Sequence, residues 1–192
     1  MIALADAFED LLAALDRLEI HFFIGGSIAS GHYGLPRNTN DIDVVADLDS
    51  LSVPDLCAGL NNVFYIDSGA VELAKQSSRA FNVIHLKSAF KFDIFPVGAD
   101  RFARSELARR RYTTTTITGL ENIEFPVASP EDTILAKLVW FRRGGEVSDR
   151  QWHDILGVLH IQAGRLDAEY LHKWAAELGV ADLLAKALKA DR

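Results

Sequence analysis

The chain has 192 residues, of which 49% are hydrophobic and 24% charged, which excludes a disordered chain and suits one or at most two packed domains. A net charge of −7 excludes bulk attraction to polyanions, so any nucleic-acid contact needs a local basic patch. The lone cysteine, Cys57, excludes an internal disulfide framework and a Cys-rich metal site.

Residues 1–19 lack the basic start and small-residue cleavage site of a secretory signal. The longest uncharged run, residues 20–36, is broken by glycines and falls short of the ~20 apolar residues of a membrane span. The expectation is a cytoplasmic protein without membrane attachment. Leu4, Phe8, Leu11, Leu12, Leu15 and Leu18 recur at helical spacing and predict an amphipathic first helix. Residues 21–24 read as a buried strand ending at Gly25-Gly26, and Ser27 reads as the cap of a short helix that Gly34 and Pro36 close.

Residues 41–46, DIDVVA, read as a strand with Asp41 and Asp43 on one face and Ile42 and Val44 on the other. Asn40 reads as its turn or first residue. A helix is expected over residues 53–60. Residues 80–86 and 90–97 then read as two strands joined by a hairpin at 87–89, with Asp93 inside the second. Residues 99–110 read as a helix whose Arg109-Arg110-Arg111 end lies in solvent or, as Arg142-Arg143 could, guides an RNA backbone. The runs 113–118 and 123–127 are β-prone.

From Ser129 on, the pattern is helical only. Ser129 suits a cap, Pro130 the first turn, and Glu131 and Asp132 the positive end of the helix dipole. Helices are expected over 133–143, 149–162, 168–178 and 181–188, with Trp140, Trp152 and Trp174 as packing residues. The domain reading is a core over 1–128 and a helical subdomain over 129–192. The core holds 11 basic and 17 acidic residues, a net of −6 against −1 for the tail.

Three features suggest chemistry together. Carboxylates at i and i+2 on a strand project side by side and share divalent ions, and Asp93 on a neighbouring strand supplies a third. Oxygen donors of this kind suit Mg²⁺ or Mn²⁺. Glycines ahead of a helix let backbone N–H groups reach a polyphosphate, and Ser27 adds a hydroxyl. Such an assembly serves metal-assisted transfer of a phosphorus-containing group.

The segments FIGGSIASGHYGLPRNTNDIDVV and KFDIFP resemble the nucleotidyltransferase superfamily that includes DNA polymerase β, over residues 22–97. With EDTILAK in the tail, the chain is most similar to the abortive-infection type nucleotidyltransferases, some of them toxins of toxin–antitoxin pairs. The resemblance implies an α+β fold with a short mixed sheet, flanking helices and a C-terminal helical subdomain. It implies that Gly25, Gly26 and Ser27 contact phosphate, and that Asp41, Asp43 and Asp93 hold Mg²⁺ (or Mn²⁺) and are catalytic, Asp93 lying near the acceptor hydroxyl. Arg37 and Thr39 match nucleotide-binding positions, although Arg37 reads equally as a solvent-facing loop residue. Lys137 matches a nucleotide contact, with a solvated lysine as the alternative, and Asp154 reads as its partner or that of Arg150.

The expected activity is transfer of a nucleoside monophosphate from an NTP to a hydroxyl of RNA (a tRNA end included), a protein or a small molecule. An antitoxin is a further expected partner. The alternative is a non-catalytic nucleotide- or partner-binding module. A glycosyltransferase also uses an Asp-x-Asp pair but needs a parallel sheet, which the hairpin at 87–89 opposes.

Overall fold

The computed structural model describes residues 2–39, 41–77, 79–115 and 119–190. The readings of Asn40 and of 116–118 lie outside them. Helix α1 (Ile2–Arg17) leads into strand β1 (Phe22–Ile24), helix α2 (Gly26–Tyr33) and strand β2 (Asp41–Ala46). Then come α3 (Val53–Leu60), β3 (Phe64–Ile66), α4 (Ser68–Ser77), β4 (Phe81–His85) and β5 (Lys91–Pro96). Helix α5 (Arg101–Arg109) precedes β6 (Arg111–Thr114) and β7 (Glu124–Val127). The chain ends in α6 (Pro130–Arg143), α7 (Asp149–Ile161), α8 (Ala168–Glu177) and α9 (Ala181–Ala190).

The strands form one seven-stranded mixed sheet in the order β3-β4-β5-β2-β1-β7-β6. The expected α+β class and mixed sheet are present. β3 and α4 had no counterpart in the sequence reading: three residues are too few to show a period, and α4 buries only Val71 and Ala74. β4 and β5 pair antiparallel across the expected hairpin, while β2 runs parallel to β5 and β1 parallel to β7.

Alternation decides the two faces of the sheet. Ile42, Val44, Phe92 and Ile94 are buried on one face, where Phe8 of α1 meets Phe125 edge-on at 5.1 Å and lies 6.4 Å from Phe92. The opposite face of β2 and β5 carries Asp41, Asp43, Val45, Lys91, Asp93 and Phe95. Burial of one apolar face fixes the register, since a slip by one residue would turn every acid into the core.

Two local expectations change. Ser27 does not cap α2: the helix begins at Gly26, Gly25 is the cap without a side-chain hydrogen bond, and the Ser27 hydroxyl turns to Thr39 instead. Arg109 is not a solvated helix end. It pairs with Glu131 at 3.1 Å and Asp132 at 3.5 Å and stacks 3.8 Å above the Tyr170 ring. Ser129 caps α6 as expected, accepting a hydrogen bond from the Asp132 backbone N–H at 3.2 Å.

Candidate active site

β2 and β5 lie side by side with Asp43 opposite Asp93 and Asp41 opposite Lys91. The three acids separated in the chain therefore meet on one face. Lys91, two residues before Asp93, joins them: its ammonium is 2.8 Å from the Asp93 carboxylate and 3.8 Å from that of Asp41. The Asn82 amide donates to Asp93 from β4, across the Asn82–Asp93 pair.

Burial, with Asp41 and Asp93 beside it, pushes the Asp43 carboxyl from 3.8 up to about 6, against the pull of Lys137 and Lys91. The hydrogen bond to Asp93 raises Lys91 in turn. Among the described residues, no three acidic or imidazole side chains are grouped closely enough to enclose a metal ion. Lys91 supplies the positive charge between Asp93 and Asp41.

The glycine turn abuts the same acids. The Gly25 N–H donates to the Asp43 carbonyl at 2.9 Å. Gly26 takes φ +54, and a Cβ there would fall 1.7 Å from Asp43 Oδ2. Only glycine brings the start of α2 this close to the carboxylate. The Ser27 hydroxyl donates to Thr39 at 2.8 Å, and Thr39 lies 3.1 Å from the Asp41 carboxylate. Thr39 thus supports Asp41.

Helices α6 and α7 bring a second group to the site. Lys137 is buried, and its ammonium donates to Asp154 at 2.8 Å. The Arg37 guanidinium reaches the same carboxylate at 3.2 Å. Burial would raise Asp154, but the hydrogen bond and charge of Lys137, joined by Arg37, outweigh it and hold the carboxyl below its usual range. Lys137 is therefore neither solvated nor unpaired, Arg37 is anchored, and Arg150 is not the partner that Asp154 takes.

A cavity of about 810 Å³ joins these groups. Gly25, Gly26, Ser27, Arg37, Thr39, Asp41, Asp43 and Lys137 line it, as does Arg150. Asp93 does not line it, its carboxylate being held by Lys91 and Asn82. Trp140, expected to pack, is 47% exposed and lines the cavity, 6.0 Å from the Phe95 ring. Trp174, by contrast, is buried.

Lys91 was legible in KFDIFP, since alternation places it on the face of Asp93. Asn82 was not, because only the cross-strand register brings it there. Glu106, which lines the cavity and is also absent from the sequence reading, sits at helical spacing from Phe102 on the inner face of α5.

The chain matches no protein-family model and no curated protein. Among solved structures it is similar to ANT(2'')-Ia in complex with adenylyl-2''-tobramycin, with a TM-score of 0.55 and 15% identity over 91% of this chain and 96% of that one. It is also similar to the lincosamide antibiotic adenylyltransferase LnuA bound to lincomycin, with a TM-score of 0.51 and 12% identity over 81% of this chain and 96% of that one. The chain shares its fold with these two adenylyltransferases. No helix among the described residues is long and apolar enough to cross a membrane.

Proposed function

We propose that this protein is a nucleotidyltransferase that moves a nucleoside monophosphate from an NTP to an acceptor hydroxyl. The observation that supports this most is the parallel register of Asp43 with Asp93 beside the Gly25-Gly26 turn. In this reading the backbone at Gly26 and the Ser27 hydroxyl bind the triphosphate, with Lys137 and Arg37 supplying positive charge. The acceptor oxygen bonds to the α-phosphorus as the bond to the pyrophosphate oxygen breaks. Once Lys91 and Asn82 release Asp93, its carboxylate would take the hydroxyl proton, and pyrophosphate leaves.

The donor chemistry suits a divalent cation, three carboxylates with no sulfur or imidazole, but the acids would have to close around the ion in place of the Lys91 ammonium now between Asp93 and Asp41. Asp41, Asp43 and Asp93 would hold Mg²⁺ or Mn²⁺, which polarises the phosphates and neutralises charge developing on the leaving group. Lys91 must then withdraw from Asp41 and Asp93. Residues 1–128 would form the catalytic core and 129–192 a helical subdomain that presents Lys137 and Arg150 to the cleft.

A second reading, a nucleotide-binding module without catalysis, is favoured by Lys91 alone, since its ammonium already neutralises the acids. Radiolabelled NTPs separate the two readings. With Mg²⁺ and a panel of tRNA, protein and small hydroxyl acceptors, label from one NTP should pass to an acceptor and fail to pass in Asp43→Asn. Bound nucleotide with no transfer to any acceptor would select the module.

The acceptor class follows from two different supports. The similar structures hold lincomycin and an adenylylated tobramycin, which favours a small molecule. The likeness of EDTILAK to abortive-infection proteins instead favours a cytoplasmic toxin, acting on RNA or protein and held by a small antitoxin. Growth arrest on expression, relieved by the product of an adjacent small gene, tests the toxin role.

A further inference from the structure

We propose that the end of the cavity floored by Glu106 binds a protonated amine, carried on a ligand with an apolar or aromatic body. Phe102, Ala103 and Glu106 fall on one face of α5, three and four residues apart, and all three line the cavity. Two of them are the surroundings that a helix offers a core. The third is a carboxylate with only 7% of its surface exposed and no hydrogen-bond or ion-pair partner among the described residues.

An unpaired buried carboxylate is costly, and native proteins supply it a partner. The charges nearest Glu106 do not serve, since Asp132 and Asp100 are both acidic and, after burial itself, hold its carboxyl well above the ordinary range. Arg109, one turn further along α5, is engaged with Glu131 and Asp132. A cation that entered through the cavity would favour the ionised form of this carboxyl and pair with it.

The apolar part of the cavity lining fits an organic cation better than a hydrated metal ion. Phe23, Val45, Phe95 and Trp140 line the cavity with Glu106, and an ammonium on a carbon body can pack against them while its charge meets the carboxylate. The cavity is thus divided electrically. Lys137, Arg37 and Arg150, from other elements, attract phosphate, and Glu106 of α5 attracts an amine. Its volume, about 810 Å³, lies toward the upper end of the ~300–1,000 Å³ usual for small-ligand sites and leaves room for two groups. As an acceptor subsite this inference rests on the transfer reading; as an amine site it does not.

Calorimetric titration of the full chain, without nucleotide or metal, compares benzylamine with benzyl alcohol, two probes of nearly one shape that differ in charge. Benzylamine should bind about tenfold more tightly or better, as expected of a charge-assisted hydrogen bond, and Glu106→Gln should bring the two affinities together. Equal binding of the probes by the wild type, or an undiminished preference in Glu106→Gln, overturns the inference. Should that variant not fold, the Glu106 side-chain ¹³C resonance in the wild type decides: it moves on adding benzylamine, or the site is not there. Failure to transfer any nucleotide leaves this titration intact, whereas transfer with no amine preference overturns the amine site alone.

Discussion

Gly26 and Asp43 occupy each other's space: a methyl group at position 26 would sit 1.7 Å from one carboxylate oxygen and 2.7 Å from the carboxyl carbon. The contact ties the first turn of α2 to the second acid of β2. Gly26→Ala meets two costs, the positive φ of 54 and the displaced carboxylate. A loss of about 1–3 kcal/mol in urea denaturation is expected. The transfer rate should fall much further than stability explains, because Asp43 must turn away. A variant with normal activity would separate Asp43 from the chemistry.

Asp43→Asn tests the electrostatics of the acid cluster without metal. The folded carboxyl holds its proton up to about pH 6, against 3.8 in an unfolded chain. Between those pH values the native state binds more protons, so the Asp43 contribution to stability falls as pH rises from about 4 to about 6 and stays low above. Asparagine removes that loss. Metal-free Asp43→Asn should be about 1–3 kcal/mol more stable than the wild type at pH 8, with the difference vanishing near pH 4. A destabilised variant at pH 8 would mean that the carboxylate is a structural group.

The acid strand was legible because DIDVVA alternates over a half-buried face, and alternation alone separates Asp41 and Asp43 from Ile42 and Val44. The Gly-Gly turn and the hairpin were legible from turn chemistry. What joins them was not. Sequence distance conceals that Asp43 faces Asp93, since a parallel pairing is set by the whole sheet. The same holds for Asn82 on Asp93 and for Asp154, which reaches Arg37 across 117 residues of chain. Arg109 read as a surface residue because its anionic partners lie on a helix beyond two further strands.

Lys91→Met would remove the ammonium from among the carboxylates. In this variant the metal-free protein should lose stability, and Mn²⁺ should bind about three- to tenfold more tightly, equivalent to roughly 1 kcal/mol. Paramagnetic resonance of free Mn²⁺ measures the affinity directly. Weaker binding would show that Lys91 helps hold the acids in a metal-ready arrangement instead of competing with the ion.

Lys137 and Asp154 form a buried pair whose two members should fail differently. Lys137→Ala should raise the nucleotide KM about tenfold or more, the scale of one charge-assisted hydrogen bond, with kcat less affected. Asp154→Asn leaves Lys137 and Arg37 without their counter-ion, so it should cost stability as well as KM. Unchanged kinetics in Lys137→Ala would return that lysine to a purely structural role.

Arg109 has the largest expected effect on folding. Its guanidinium is the cation paired with both Glu131 and Asp132, whose side chains are 3% and 0% exposed. Those acids also bind the frame of the tail: Glu131 accepts from the Asp167 backbone N–H at 3.0 Å, and Asp132 accepts from the Tyr170 hydroxyl at 2.6 Å. Removing one partner of a buried ion pair costs about 3–5 kcal/mol because the other charge stays buried. Arg109→Ala also loses the face-on contact with Tyr170. Thermal unfolding should therefore fall by roughly 10 °C, the scale of such a loss in a chain of this size. Arg109→Lys should recover little of it, since a point charge cannot serve two carboxylates and a ring at once. A melting temperature within a degree or two of the wild type for Arg109→Ala would place that guanidinium in solvent after all.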